Sequence, residues 1–140
     1  MAIRGSRTTF VDALFVVALI NQRDQHHEAA TQLSSQFVGQ PLLTTDVVLI
    51  EIGNALARNF RAESAEVIHY FHQATNIEIV RLSTSLFDEA FSLYRTRDDK
   101  AWGMTDCISF AVMRRAGVQD ALTFDHHFTQ AGFNALLRIG

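Results

Sequence analysis

The chain has 140 residues, of which 48% are hydrophobic and 19% are charged, and its formal net charge at pH 7 is −3. This composition predicts a single globular domain over residues 1–140 and excludes a largely disordered chain. The net charge excludes a basic nucleic-acid footprint over the whole surface, although every one of the 12 basic residues except Lys100 is arginine, which suits bidentate phosphate contacts.

The first half of the chain predicts two strands, each followed by helical sequence. The elements in order are a strand over 8–11, a buried helix over 13–20, a more polar helix over 25–38, a strand over 42–45 and a helix over 47–60. Pro41 ends the polar helix, because proline cannot continue a helix. Asp46 is expected to be the N-cap of the helix that follows the second strand.

The second half continues the alternation of helices and strands. The elements are a helix over 62–74, an edge strand over 76–82, a helix from Ser83 or Ser85 to about 94, a charged loop over 95–103, a helix over 106–115, a strand over 121–124 and a last short strand over 135–139. Thr105 is expected to cap the helix over 106–115, and Gly117 is expected to end it.

Alternation of strands and helices is typical of an α/β fold with a largely parallel sheet that is covered on both faces. In such sheets, ligands bind at the carboxyl ends of the strands, where the strand order reverses. Side chains that follow strands or begin helices at this edge are therefore the candidates for a functional site.

Four acidic residues occupy such positions. Asp12 and Asp125 follow predicted strands, Asp106 begins a helix, and Glu51 lies in the helix after the second strand. A carboxylate among apolar neighbours is costly unless a positive charge neutralises it. Asp106 could be only a helix cap and Asp125 only a turn residue, but together the four acids favour a site for Mg²⁺ or Mn²⁺, which prefer oxygen ligands. Such a site suits hydrolysis of a phosphodiester bond.

The single cysteine, Cys107, excludes a disulfide within the chain and is compatible with a reducing cytoplasm. The apolar run over 13–20 is far too short to span a membrane. We therefore expect a cytoplasmic protein that does not act in a membrane.

Four segments of the sequence form a recognisable set, and they are 10–12, 44–45 with 51–56, 104–110 and 121–128. In this order, over nearly the whole chain, they resemble the signature blocks of the PIN-domain ribonucleases, and in particular the VapC toxins. The resemblance implies an α/β/α sandwich with a central, mainly parallel sheet. It also implies a Mg²⁺- or Mn²⁺-dependent endoribonuclease that is the toxin of a type II toxin–antitoxin pair, with RNA as substrate, a cognate antitoxin as partner and a homodimer as the assembly.

The resemblance assigns roles to individual residues. The catalytic and metal-binding acids are Asp12, Glu51, Asp106 and Asp125, and their supporting polar groups are Asn54, Thr105 and Thr123. The sequence departs from the family at Ala13, where a threonine or serine usually follows the first aspartate. That departure removes a hydroxyl group that would help to hold the cluster.

Substrate and partner contacts are predicted from residue type and position. RNA phosphates require cations near the acids, and the candidates are Arg95, Arg97, Lys100, Arg114 and Arg115. Trp102 could stack on a base, although packing against the sheet is the preferred interpretation. A hydrophobic groove for an antitoxin helix is predicted around Phe37, Phe60, Tyr70 and Phe71.

Two other classes of protein remain open at this point. Ala13 favours a catalytically impaired PIN-like interaction module. A phosphoacceptor signalling domain also places acids at the ends of strands, but it needs a lysine on a late strand, and Lys100 lies in a loop before a helix.

Overall fold

The computed structural model describes residues 7–138 and contains one five-stranded sheet. Its strands are β1 (Thr9–Val11), β2 (Leu42–Thr45), β3 (Ile77–Val80), β4 (Asp120–Leu122) and β5 (Asn134–Ala135). The order across the sheet is β3-β2-β1-β4-β5, and all neighbouring strands are parallel. The predicted parallel sheet is confirmed, and β3 is an edge strand as expected.

Helices connect these strands. They are α1 (Ala13–Ile20), α2 (His27–Ser34), α3 (Asp46–Leu56), α4 (Arg61–Gln73), α5 (Thr84–Thr96), α6 (Met104–Ala116) and α7 (His126–Gln130), and a 3₁₀ helix spans Leu136–Arg138. Helices α1 to α4 contact one another, as do α5 to α7. Because parallel crossovers have one hand, the two groups cover opposite faces of the sheet. The predicted α/β/α sandwich is thus confirmed.

The strand order reverses beside β1. The chain moves outward from β1 to β2 and β3 and then returns to place β4 on the other side of β1, where Val11 pairs with Leu122. The carboxyl ends of β1 and β4 therefore lie side by side at the switch point, where parallel sheets of this kind bind ligands.

Three fully buried phenylalanines attach α6 and α7 to the sheet. The ring centroids of Phe110 and Phe128 are 5.0 Å apart in an edge-to-face arrangement, and the Phe128 ring lies 6.2 Å from that of Phe10 on β1. Such aromatic pairs stabilise a fold beyond the area that they bury. They hold the beginnings of α6 and α7 close to the end of β1.

Two of the predicted N-caps, Asp46 and Thr105, were placed incorrectly, whereas Ser83 caps α5 and Gly117 ends α6 as expected. Thr45 is the N-cap of α3, with its hydroxyl oxygen accepting the Val48 N–H at 3.0 Å, whereas Asp46 lies inside the helix and accepts the Leu82 N–H. Thr105 lies inside α6, whose N-cap is Gly103. Helix α3 begins earlier than predicted because the Thr45 hydroxyl caps it, and α6 begins earlier because the Asp106 carboxylate accepts the N–H of Gly103.

Several boundaries also differ from the sequence-based expectations. Helix α2 is shorter than the predicted 25–38, α3 ends before the predicted residue 60, and α7 was not predicted. The predicted strand over 135–139 was wrong in most of its length, since the sheet pairs only through Asn134–Ala135 and a 3₁₀ helix follows. Residues 1–6 and 139–140 of the predicted domain and tail lie outside the described residues. In the described part, no helix is both long and apolar enough to cross a membrane.

Candidate metal centre

The four predicted acids lie together around one small cavity. Its volume is about 150 Å³, and it is lined by Asp12, Ala13, Leu14, Glu51, Thr105, Asp106, Ser109 and Asp125. These residues come from the end of β1, from α1, α3 and α6, and from the residue before α7. The sheet order therefore assembles carboxylates that are up to 113 positions apart in the chain (Asp12 to Asp125).

Asp12 is the most buried of the four acids, with 8% of its surface exposed. Burial raises the pKa of its carboxyl group to about 7, and the nearby charges of Glu51 and Asp106 act in the same direction. The hydroxyl of Thr123 donates a hydrogen bond of 2.8 Å to Asp12 Oδ2, which partly offsets this rise. Without a cation, the negative charge of Asp12 is thus poorly compensated.

Glu51 is half-buried on α3, in a position that the Thr45 cap at the start of the helix helps to set. Burial raises the pKa of its carboxyl group, a hydrogen bond with the Thr105 side chain lowers it, and the charge of Asp106 raises it further. The predicted role of Thr105 as a partner of a carboxylate therefore has a counterpart in the structure.

Asp106 is held from two sides. Its Oδ2 accepts the N–H of Gly103 at 3.1 Å, and it lies 2.9 Å from the Nδ1 atom of His127. The sequence did not predict this pairing of His127 with Asp106. The only signal for it was that His127 lies two residues after Asp125.

Asp125 is the N-cap of α7, and its Oδ1 accepts the N–H of His127 at 2.9 Å. Its own N–H donates to the Thr123 hydroxyl at 3.1 Å. Because the same hydroxyl donates to Asp12, Thr123 connects the acids at the ends of β1 and β4, as expected for a group that orients carboxylates.

The donor set fits a hard divalent cation. Among the side chains that the structure describes, no lysine or arginine forms an ion pair with any of these four carboxylates. Four carboxylates without a lysine or arginine partner, two of them with raised pKa values, are the arrangement that a Mg²⁺ or Mn²⁺ ion would stabilise.

Two residues around the cavity alter the sequence-based description. Ala13 lines it, so the hydroxyl that the family usually has there is indeed missing from the site. Ser109, which sequence reasoning did not select, is 3% exposed and lines the same cavity. Its signal was its spacing, because residues three and four positions after Asp106 and Thr105 lie on the same helix face. Asn54, in contrast, is exposed and does not line the cavity.

The predicted basic residues separate into two groups. Arg95, Arg97 and Lys100 line a cavity of about 580 Å³ that also includes Gly103, at the start of α6 and close in the chain to Asp106. Arg97 and Lys100 are partly engaged by Asp99, at 3.1 Å and 3.8 Å.

Arg114 and Arg115 lie at the other end of α6, about 12–14 Å along the helix axis from Asp106. Arg115 pairs with Glu89 at 2.7 Å and with the hydroxyl of Ser85. The structure therefore does not bring this pair to the acids.

Most of the predicted aromatic residues are buried or pack against the core, and one is exposed. Trp102 is 4% exposed and donates from Nε1 to Gln130 at 3.0 Å, so the packing interpretation is confirmed. Of the residues expected to form a partner groove, Phe71 is buried and Phe37 and Phe60 pack against the core, which leaves Tyr70 exposed. An exposed apolar stripe lies instead on α5, at Phe87, Phe91 and Tyr94.

Comparison with known proteins agrees with this geometry. The PIN domain family profile matches residues 9–134. The 23S rRNA-specific endonuclease VapC20 of Mycobacterium tuberculosis is 31% identical over 126 residues, which cover 89% of this chain and 94% of that protein.

Solved structures give the same assignment. The crystal structure of Mycobacterium tuberculosis VapC20, described as a sarcin-ricin loop cleaving toxin, superposes with a TM-score of 0.81 at 30% identity and covers 89% of this chain and 95% of that chain. FitAcB of Neisseria gonorrhoeae (TM-score 0.64, covering 91% and 95%) and VapBC2 of Rickettsia felis bound to promoter DNA (0.63, covering 91% and 96%) share the fold at 12% identity. The chain belongs to the PIN domain family.

Proposed function

We propose that this protein is a divalent-metal-dependent endoribonuclease that hydrolyses RNA phosphodiester bonds, and that it is the toxin of a type II toxin–antitoxin pair. The observation that carries the proposal is the convergence of Asp12, Glu51, Asp106 and Asp125 on one cavity at the switch point of the sheet. The likeness to VapC20, at 31% identity over most of both chains, supports the reaction class.

The four carboxylates would hold Mg²⁺ or Mn²⁺. When bound, the cation supplies a Lewis acid that polarises a phosphoryl oxygen and lowers the pKa of a water molecule. The chain's own residues prepare the site. Thr123 orients Asp12 and the backbone of Asp125, Thr105 contacts Glu51, and Gly103 orients Asp106.

Basic side chains beside the metal centre would direct RNA to the four acids. Arg97 and Lys100 line the open cavity that adjoins the start of α6, and basic side chains in such a position attract phosphates. Because the relative VapC20 is named for 23S rRNA, ribosomal RNA is the first substrate to test. This substrate would place the protein in the cytoplasm.

An antitoxin and a second copy of the chain are the proposed partners. The exposed side chains of Phe87, Phe91 and Tyr94 follow one another at helical spacing on α5. An apolar stripe of this kind is unusual on a surface that faces only water, and it supports a protein partner.

The alternative functions are less well supported. An impaired interaction module would follow from Ala13, but all four acids remain around the cavity, and Ser109 contributes a hydroxyl group there. A phosphoacceptor domain requires a lysine at the site, whereas Lys100 lies beside Asp99 in a different cavity.

Cleavage of RNA by the Asp106→Asn variant tests the proposal. Purified protein is incubated with ribosomal RNA and Mn²⁺, and Asp88→Asn on the exposed side of α5 serves as the control for loss of one negative charge. We expect cleavage by the wild-type and Asp88→Asn proteins and loss of cleavage in Asp106→Asn, with an unchanged circular dichroism spectrum. Equal cleavage by Asp106→Asn would contradict the proposal.

A further inference from the structure

Two consecutive histidines face the carboxylates at the edge of the metal centre. The Nδ1 atom of His127 lies 2.9 Å from Asp106 Oδ2 and 3.6 Å from Asp125 Oδ1. The Nδ1 atom of His126 lies 3.7 Å from the same Asp125 oxygen. The four-carboxylate site does not require either ring, so it does not explain why the two histidines lie there.

The distances between these atoms are close to those between ligands around one ion. Nitrogen and oxygen donors bind a transition metal at about 2.0–2.2 Å, so neighbouring donors lie about 2.8–3.6 Å apart in octahedral or tetrahedral geometry. The 2.9 Å and 3.6 Å distances fall in this range, and the 3.7 Å distance lies slightly above it. One donor atom each from Asp125, His126 and His127 already lie within 4.8 Å of one another. A cation could therefore be bound with only small side-chain rotations.

The fold holds both rings in this position. Asp125 accepts the backbone N–H of His127, which fixes the first turn of α7. The next residue, Phe128, is fully buried and packs against the rings of Phe10 and Phe110. The side chain of His127 is 19% exposed and that of His126 is 58% exposed, so an ion can reach the cluster from solvent.

We propose that Asp106, Asp125, His126 and His127 form a mixed oxygen and nitrogen site that prefers Co²⁺ or Zn²⁺ over Mg²⁺. Imidazole nitrogen suits transition metals, whereas Mg²⁺ takes oxygen ligands almost exclusively. The inference rests on the proposed function to the extent that Asp106 and Asp125 belong to both donor sets. The two histidines would determine which metal ion the site prefers.

The competing explanation is that His127 only orients Asp106 through a hydrogen bond. The His127→Asn variant separates the two, because the asparagine amide places a donor close to the position of Nδ1 but offers a poor ligand for transition metals. A purely orienting role predicts similar losses of Mg²⁺ and Co²⁺ affinity. Nitrogen ligation predicts a selective loss of Co²⁺ affinity.

The experiment titrates the metal-free full-length protein with Co²⁺, followed by visible absorption, and with Mg²⁺, followed by calorimetry. The variants are His126→Asn and His127→Asn, and His69→Asn on the exposed surface of α4 is the matched control. We expect the ratio of Co²⁺ to Mg²⁺ affinity to fall at least roughly 10-fold in both variants and to stay unchanged in the control.

An unchanged ratio in the His126→Asn and His127→Asn proteins would overturn the inference, and so would an equal loss of both affinities. The result is independent of RNA cleavage. If the wild-type protein binds Co²⁺ through the histidines but cleaves no RNA with any cation, the proposed function fails while the site stands. If the wild-type protein cleaves RNA but the variants do not change the affinity ratio, the proposed function stands while the histidine site fails.

Discussion

One hydroxyl group links two acids of the site. Thr123 donates to Asp12 Oδ2 and accepts the N–H of Asp125, and no part of its surface is exposed. In a buried site, such a group both lowers the cost of the charge and fixes the direction of the oxygen atoms. At the residue scale, the arrangement of the cluster depends on Thr123 as much as on the acids.

Replacement of Thr123 by valine tests this role. The side chain keeps its shape but loses both hydrogen bonds, so we expect Mn²⁺ affinity to fall roughly 10- to 100-fold. The unpaired Asp125 N–H should also lower the free energy of unfolding by about 1–3 kcal/mol. Isothermal titration calorimetry and urea unfolding measure the two effects.

Thr44→Val is the matched control for this prediction. Thr44 is equally buried, and its hydroxyl donates to the Val11 carbonyl at 2.9 Å without contacting an acid. We expect lower stability but unchanged Mn²⁺ affinity. If both valine variants lost the same metal affinity, the specific role of Thr123 would be disproved.

At the scale of elements, the two ends of α6 have different roles. Its beginning carries Thr105 and Asp106 to the cavity, and its end is closed by Gly117, whose φ of 68° lies in the left-handed region. The loop before α6 carries the basic residues that the proposed function assigns to RNA. Substitutions at the end of α6 should therefore change the stability of the fold, whereas substitutions in the loop before α6 should change the binding of RNA.

Gly117→Ala should destabilise the fold without a steric clash. A Cβ atom at this position meets nothing within 4 Å, but the left-handed conformation costs alanine about 1–2 kcal/mol. Thermal and urea unfolding measure the change. Gly103→Ala is the control, since Gly103 is equally open but has a φ of −83°, and we expect no loss of stability there.

The double variant Arg97→Gln, Lys100→Gln should bind RNA more weakly. Each lost phosphate contact reduces the magnitude of the negative slope of log affinity against log salt by about 0.7–0.9. Fluorescence anisotropy with a ribosomal RNA fragment over a range of salt concentrations measures this. Arg114→Gln is the control at the far end of α6, and an equal effect of Arg114→Gln would count against the proposed RNA path.

At the scale of the whole molecule, the site works against the stability of the metal-free fold. Asp12 has its pKa raised to about 7 by burial, and the pKa of Glu51 is also raised. Each group must release its proton against an unfavourable environment as the pH rises. A bound cation would reverse this cost, so metal binding and folding should be coupled.

The stability of the metal-free protein should therefore fall as the pH rises from 4 to 7. Between the unfolded pKa of Asp12, 3.8, and its folded value of about 7, the folded state holds a proton that the unfolded state releases, so rising pH favours unfolding. The decrease from Asp12 is on the order of 4 kcal/mol. Urea unfolding at several pH values in the presence of a chelator measures it.

The Asp12→Asn variant provides the comparison, because asparagine carries no charge at any of these pH values. We expect its unfolding free energy to depend less on pH than that of the wild-type protein. Saturating Mn²⁺ should stabilise the wild-type protein more at pH 7 than at pH 5, since protons compete with the cation. Equal pH dependence of both proteins would contradict the assigned cause.

The sequence by itself determined the parallel α/β class, the bounds of α1 and β2, and the four acids. These features follow from local physical chemistry, namely hydrophobic periodicity, proline and glycine at helix ends, and carboxylates beside apolar runs. The family's motif order added the expected roles of Thr105 and Thr123. None of this information required distances between remote parts of the chain.

Only the tertiary structure decided which side chains meet. The position of β4 beside β1 brings Asp125 to Asp12, and the packing of α7 brings His127 to Asp106. The same packing buries Trp102, while α5 engages Arg115 at the far end of α6. Such contacts depend on strand order and helix packing, which sum many weak interactions over the whole chain, so no local pattern encodes them.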